Sequence, residues 1–161
     1  MIRKHDTGGS LDRRAAGFSL AELIIVVVIG TVLATSVAVG YYGKAVTRRR
    51  LDAAVARVEA DIELARRQAV QTSSEKTVTF TTIGYTITGV RHLDRANIDY
   101  AVNLAGEPYQ AKIDSTDFGG DNKIIFSIYG TPDSGGQMVI SVGEYSRKVT
   151  LNAQTGRTGS Q

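Results

Sequence analysis

The chain predicts an α+β fold, with a long N-terminal helix whose second half packs on an antiparallel β-sheet. Three observations carry this. Leu23 to Gly43 is a stretch of 21 residues without a charge. From Lys44 to about Thr72, apolar residues recur every three or four positions in a highly charged background. After Ser74 the period of the pattern switches to two. The expected organisation is therefore a leader over 1–17, an apolar helical segment over 18–43, an amphipathic helical segment over 44–74 and a β domain over 75–161.

Residues 1–16 are polar, contain Gly8-Gly9-Ser10 and show no hydrophobic periodicity, so they read as a disordered leader. The uncharged stretch that follows is rich in Val and Ile, which suits a strand, but its length suits a helix crossing a bilayer. At the rise of an α-helix it spans roughly 30 Å, the thickness of one hydrocarbon core. Tyr41 and Tyr42 fall at its end, where an interfacial aromatic belt is expected. In the next segment Leu51, Val55, Val58, Ile62, Ala65 and Ala69 form a narrow stripe on one helix face. No proline interrupts residues 18–72, and Gly30, Gly40 and Gly43 weaken a helix without breaking it. One continuous helix of about 80 Å is the simplest reading.

The strands expected after it are 76–83, 85–90, 98–104, 109–113, 123–129, 137–143 and 145–152. DFGGDN (117–122) and GTPDSGG (130–136) carry turn chemistry, and Gly143-Glu144 predicts a tight hairpin. The sequence contains no internal repeat.

Charge and composition exclude several functions. The net charge is +3, of which the leader supplies +2, and residues 75–161 carry eight basic and nine acidic side chains. A β domain without a basic excess argues against nucleic acid as a partner. Cysteine is absent, which removes disulfides, thiolate nucleophiles and cysteine metal sites. His5 lies in the leader, and His92 stands beside Asp94 in RHLDR, a segment read as a loop without a placed nucleophile. No phosphate loop or zinc spacing is present, so neither an enzyme nor a cofactor is expected. Asp114, Asp117, Asp121 and Asn122 form an acidic cluster between two expected strands. They are the one candidate cation site, with Ca²⁺ as the ion, though a solvated turn explains them as well.

The most informative stretch is RRAAGFSLAELIIVVVIG (13–30), where Glu22 stands at the mouth of an apolar run. A carboxylate within hydrocarbon costs on the order of 3 kcal/mol even on the lenient insertion scale. A basic leader ending in Gly17, followed by Phe18, Ser19, Leu20, Ala21, Glu22 and an apolar helix, resembles the processing site of type IV pilin-like prepilins and pseudopilins. The resemblance implies cleavage between Gly17 and Phe18 by a prepilin peptidase and methylation of the new amino terminus at Phe18. It also implies an ion pair during assembly between Glu22 and the amine of a neighbouring subunit's Phe18. Other pilin-like subunits would meet the chain through the N-terminal helix. Before assembly the helix would anchor it in the lipid of the bacterial inner membrane, with the leader cytoplasmic and the β domain periplasmic. Helix physics agrees, since a helix N-terminus carries unpaired N–H groups and partial positive charge.

The C-terminal part, KIIFSIYGTPDSGGQMVISVGEYSRKVTLNAQTGR, is similar to the end of the GspH/FimT group of minor pseudopilins and minor pilins. The matching residues are Ile124-Ile125-Phe126, Gly130, Gly135-Gly136 and Thr155-Gly156-Arg157. The helix-kinking proline that major pilins carry near Val39 is absent, which favours a minor subunit. Together the two resemblances imply a pilin-like fold. They also imply a non-enzymatic structural subunit of a type II secretion pseudopilus or a type IV pilus. FimT-like members tied to DNA uptake end in Gly-Arg-x-Arg. Here Arg157 is followed by Thr158-Gly159, so Arg157 is a candidate DNA contact without its second arginine.

Two other classes compete. A conventional secreted protein would use Ser36-Val37-Ala38 as a signal-peptidase site, and a permanently anchored single-span domain would keep its whole N-terminus. Glu22 and the 51–62 stripe argue against the first. Arg48-Arg49-Arg50, just past the apolar stretch, read as side chains snorkelling to lipid phosphates, and with Lys44 they nearly balance the basic leader.

Overall fold

A computed structural model of the chain describes residues 19–92 and 95–161, with side chains described outside 35–41 and 91–98. Two units divide it, one ending at Tyr41 and the other running from Tyr42 to Gln161. The single long helix α1 (Leu20–Thr72) begins in the first and continues in the second.

In the second unit the predicted stripe is the buried face of α1. Leu51, Val55, Val58, Ile62, Ala65 and Ala69 are all buried, and Ala54 joins them. The alanines let backbone and sheet approach closely at the C-terminal end of the stripe. Ser73, with φ of +47°, ends the helix, and Ser74 N–H donates to the Ala69 carbonyl at 3.2 Å.

The β residues form two four-stranded antiparallel sheets rather than the single sheet expected. One has the order β3 (Arg95–Asn103), β2 (Gly84–His92), β1 (Lys76–Thr81), β5 (Lys123–Phe126). The other has the order β4 (Lys112–Phe118), β6 (Gly136–Val142), β7 (Tyr145–Leu151), β8 (Thr158–Ser160). Their inward faces share one core with the helix stripe, and Phe80 of β1 stacks on Phe118 of β4 with ring centroids 5.4 Å apart. Alternation in β1 places Val78 and Phe80 inward, as its period of two requires.

The strand expected at 109–113 is mostly a turn. Pro108 has no N–H to give a ladder, and the Gly106 carbonyl accepts from both Tyr109 and Gln110 N–H instead. Chain direction changes there, so β4 starts at Lys112 and runs into the DFGGDN segment, whose composition predicts turn throughout. Only Gly119 and Gly120, both with positive φ, make that turn. β5 ends at Phe126 because Gly130 N–H bonds back to the Ser127 carbonyl at 2.8 Å, three residues earlier than expected. RHLDR is not a loop throughout, since His92 ends β2 and pairs with Arg95 at the start of β3. The two-residue hairpin at Gly143-Glu144 is as expected, with Gly143 at φ of +59°. The short strand β8 has no apolar pattern and went unpredicted.

One buried charge ties the helix to the first sheet. Asp61 is 5% exposed and accepts hydrogen bonds from the Tyr85 hydroxyl at 2.6 Å, the Tyr100 hydroxyl at 3.0 Å and Arg57 Nε at 3.0 Å. Arg57 also donates to the Tyr100 hydroxyl. Burial and then the Asp61 carboxylate push the Tyr85 phenol well above its ordinary range, and the same two causes raise Tyr100.

Removing one partner of a buried ion pair costs about 3–5 kcal/mol, because the other groups are left unsatisfied. Asp61→Ala is therefore expected to lower the unfolding free energy by about 3 kcal/mol or more in chemical denaturation. A phenol raised in the folded state stabilises it below pH ~10 and loses that stabilisation as pH rises further, because the unfolded chain ionises first. Stability should fall above pH ~10 with a slope that Tyr85→Phe reduces. An unchanged slope would remove Tyr85 from this role.

Candidate functional site

α1 starts at Leu20, and Ser19 caps it: its Oγ accepts the Glu22 N–H at 3.2 Å and its carbonyl accepts the Leu23 N–H at 3.1 Å. Ser19-Leu20-Ala21-Glu22 has the spacing of a capping box, a signal already present in the sequence. The cap fixes the helix start, so Glu22 lies in the first turn, where the positive end of the helix dipole favours a carboxylate. Glu22 is exposed. Gly17 and Phe18, the expected cleavage and methylation residues, lie outside the described residues, as does the rest of the leader.

Around Glu22 the helix is apolar on every side. Leu20, Leu23, Ile24, Ile25, Val26, Val27, Val28, Ile29, Val32 and Leu33 are each more than 50% exposed. A helix that is apolar all round belongs in lipid or among other helices. Among the described residues no helix is long and apolar enough to cross a membrane, and the expected span 23–43 includes the side chains of 35–41 that are not described.

The acidic cluster is dispersed. Asp114 pairs with Lys112 at 3.1 Å, Asp117 Oδ1 accepts the Gly120 N–H at 3.0 Å, Asp121 faces Lys123 at 3.8 Å, and Asn122 Nδ2 donates to the Phe80 carbonyl at 2.8 Å. Asp114 and Asp117 are strand residues of β4 rather than loop residues, so the backbone does not curl them toward one point. No group of three or more His, Cys, Asp or Glu side chains converges among the described residues. The side chain of His92, and Asp94 altogether, lie outside the described residues.

Two of the three arginines at 48–50 are engaged with the β domain. The Arg48 guanidinium lies 4.8 Å from the centroid of the Tyr145 ring, and Arg50 reaches Gln110 and lies 3.5 Å from Glu107. Further along, Arg147 of β7 pairs with Asp52 at 2.9 Å. These contacts hold the amphipathic helix segment against β7 and the turn at 106–111.

Arg157 sits at the far end of the domain in a built turn. Asn152 organises it: its Oδ1 accepts the N–H groups of Gln154 and Thr155, its carbonyl accepts Gly156 N–H, and its N–H donates to the Arg157 carbonyl. Gly156 has φ of +64°, and a Cβ there would meet Arg66 Cδ at 3.0 Å and the Gly130 carbonyl oxygen at 3.1 Å. The close approach brings Arg157 to the helix residues Glu63, Arg66 and Arg67, which line a groove of about 530 Å³ with it and Thr158. Glu63 accepts two bonds from Arg66, at 2.8 and 2.9 Å, and one from Arg67 at 2.8 Å. The bonds from Arg66 hold the Glu63 carboxyl at about 2, against the effect of its burial.

Residues 54–156 match the model of the type II transport protein GspH family. The chain belongs to that family. Residues 12–38 also match the prokaryotic N-terminal methylation motif, which implies prepilin peptidase processing. No curated protein matches significantly. The crystal structure of the Pseudomonas aeruginosa type IV minor pilin FimU in space group P21 aligns with a TM-score of 0.54 and 17% identity, over 71% of this chain and 90% of that one. The same minor pilin in space group P65 aligns at 0.51 and 16%, over 69% and 92%. At these identities the likeness shows the fold, the pilin-like α+β arrangement. The GspH family, of the type IV pilin-like GspH/FimT group, is one of minor pilin and pseudopilin subunits, structural rather than enzymatic. The β elements matched by the GspH model include the Ile-x-Phe strand β5 and the turn closing at Gly156.

A left-handed backbone costs a non-glycine residue about 1–2 kcal/mol. Gly120 shares that constraint, at φ of +92°, but has open space around its missing Cβ. Gly156→Ala is expected to lower stability by about 2 kcal/mol and Gly120→Ala by about 1 kcal/mol. Equal losses in denaturant unfolding would show that the contact with Arg66 and Gly130 carries no energy.

Proposed function

We propose that the chain is a minor subunit of a type II secretion pseudopilus or a type IV pilus, matured by prepilin peptidase between Gly17 and Phe18 and methylated at Phe18. Before assembly the apolar half of its helix anchors it in the bacterial inner membrane, with residues 1–17 in the cytoplasm and the β domain in the periplasm. In the filament the same segment packs among the helices of neighbouring subunits. The role needs no cofactor and no catalytic residue.

The observation that supports this reading best is a largely apolar helix surface whose one charge between Leu20 and Gly43 is Glu22 in the first turn, within the methylation motif. Lipid accepts such a surface, and so do helices of like composition. A neighbour's amine at Phe18 would match the carboxylate. At an effective dielectric near 20 and about 4 Å, unit charges attract by about 4 kcal/mol before desolvation is subtracted. That offsets the cost of placing Glu22 in apolar surroundings, on the order of 3 kcal/mol.

The peptidase must accept a residue without a side chain at the cut, so Gly17→Glu is expected to leave the full-length chain, read by its mass. Normal cleavage of that variant would overturn the processing assignment. Glu22→Ala is expected to be cleaved normally and stay in the membrane fraction but enter filaments poorly, measured by the subunit's share in sheared filaments. Assembly at the unsubstituted level would eliminate the ion pair.

A further inference from the structure

The groove between the end of α1 and the C-terminal turn is absorbed neither by membrane anchoring nor by helix packing. We propose that it binds an acidic segment of a partner protein, one that places a carboxylate against Arg157 and Arg67 and an adjoining apolar side chain on the exposed Val70. The proposal rests on no feature of the N-terminal segment.

Charge supports it first. Three guanidinium groups line the groove against one carboxylate, and that carboxylate already accepts from two of them. The Arg157 side chain has no hydrogen-bonding or ion-pair partner among the described residues, although the Asn152 turn and the tight fit of Gly156 hold its backbone in place. Arg67 is 68% exposed and makes a single bond to Glu63, so one of its faces is open to an incoming acid. A planar guanidinium fork with a fixed backbone recognises a carboxylate bidentately.

Shape and rim select the kind of acid. Gly130 packs on Val70 and Arg66, where a Cβ would fall 2.9 Å from Val70 Cγ2. The two residues before it, Ile128 and Tyr129, are 41% and 80% exposed, and Val70 is 48% exposed. Val70, one turn after Arg66 and Arg67 on the helix, offers an exposed apolar surface next to the guanidinium groups. A nucleic-acid backbone needs a run of cationic contacts, whereas the unit from Tyr42 to Gln161 carries 15 basic and 13 acidic side chains and the groove offers open guanidinium groups only at Arg157 and Arg67, enough for one carboxylate. No long-range basic field draws it in.

The test uses the full chain in detergent and a fluorescein-labelled peptide of alternating glutamate and leucine, followed by anisotropy. The glutamate peptide is expected to bind and to weaken with added salt, and a peptide with glutamine in place of glutamate is expected not to. A charge-assisted hydrogen bond contributes enough that Arg157→Ala should weaken binding roughly tenfold or more. Arg49→Ala, an exposed arginine on an earlier turn of the helix, should leave binding unchanged. Arg157→Lys should retain part of the affinity, which a merely unfolded variant would not. Equal binding of the glutamine peptide, full binding by Arg157→Ala, or displacement of the peptide by single-stranded oligothymidylate at lower concentration would each overturn the proposal.

Discussion

Everything about the N-terminal segment follows from one constraint: the side chains of Leu20 to Leu33 cannot stay in water. Ten large apolar residues face outward there. Burying a Val, Leu or Ile side chain is favourable by about 1.5–3 kcal/mol, so the segment gains on the order of 15 kcal/mol by leaving water. That equals or exceeds the whole folding free energy of an ordinary domain. A single carboxylate, at about 3 kcal/mol, does not reverse the balance. Glu22 therefore does not decide whether the helix is buried. In the proposed role it would select among buried surroundings, since a medium that supplies a cation suits a carboxylate better than one that does not.

The second half of the helix solves a different problem with the same backbone. Its stripe faces a sheet core, and alanines at 54, 65 and 69 keep the packing close. Within that core stands Asp61, whose three partners come from the helix itself and from β2 and β3. Such a group is a poor source of net stability, because taking it out of water costs about what the bonds return. Its effect is on geometry. Tyr85 and Tyr100 reach the carboxylate at 2.6 and 3.0 Å only when the first sheet is in register on the helix. Two residues further along, on another face of the same helix, Glu63 and its arginines stand on a half-exposed surface, where a charge cluster is free to exchange partners.

Much of this was legible in the sequence, because it follows from periodicity. The 4-3-4-3-4 stripe marked the buried helix face position by position, and Gly143-Glu144 marked its hairpin. What was misread depended on contacts distant in sequence. Two sheets look like one when strands are read singly, since alternation says which face is buried and not which neighbour it meets. Pro108 and Gly106 did signal that 109–113 would not open as a strand, and the aromatic alternation around Tyr109 masked them. Asp61 was hidden because a charge beside an apolar stripe reads as solvated, although Arg57 four residues earlier offered a partner. Ser19 was legible too, since it stands three residues before Glu22, whose N–H its Oγ accepts. The sequence after Arg157 lacks a second arginine, whereas its basic neighbours in the fold, Arg66 and Arg67, come from the helix.

The central claim is that the segment beginning at Phe18 is the mature N-terminus of a filament subunit. It is tested most directly by intact-mass and fragmentation analysis of the protein recovered from the membrane fraction of a bacterium with a working prepilin peptidase. The account predicts a chain that begins at Phe18 and carries a methyl group on its α-amine. A chain beginning at Met1, or one beginning at Val39 after conventional signal cleavage, would contradict it.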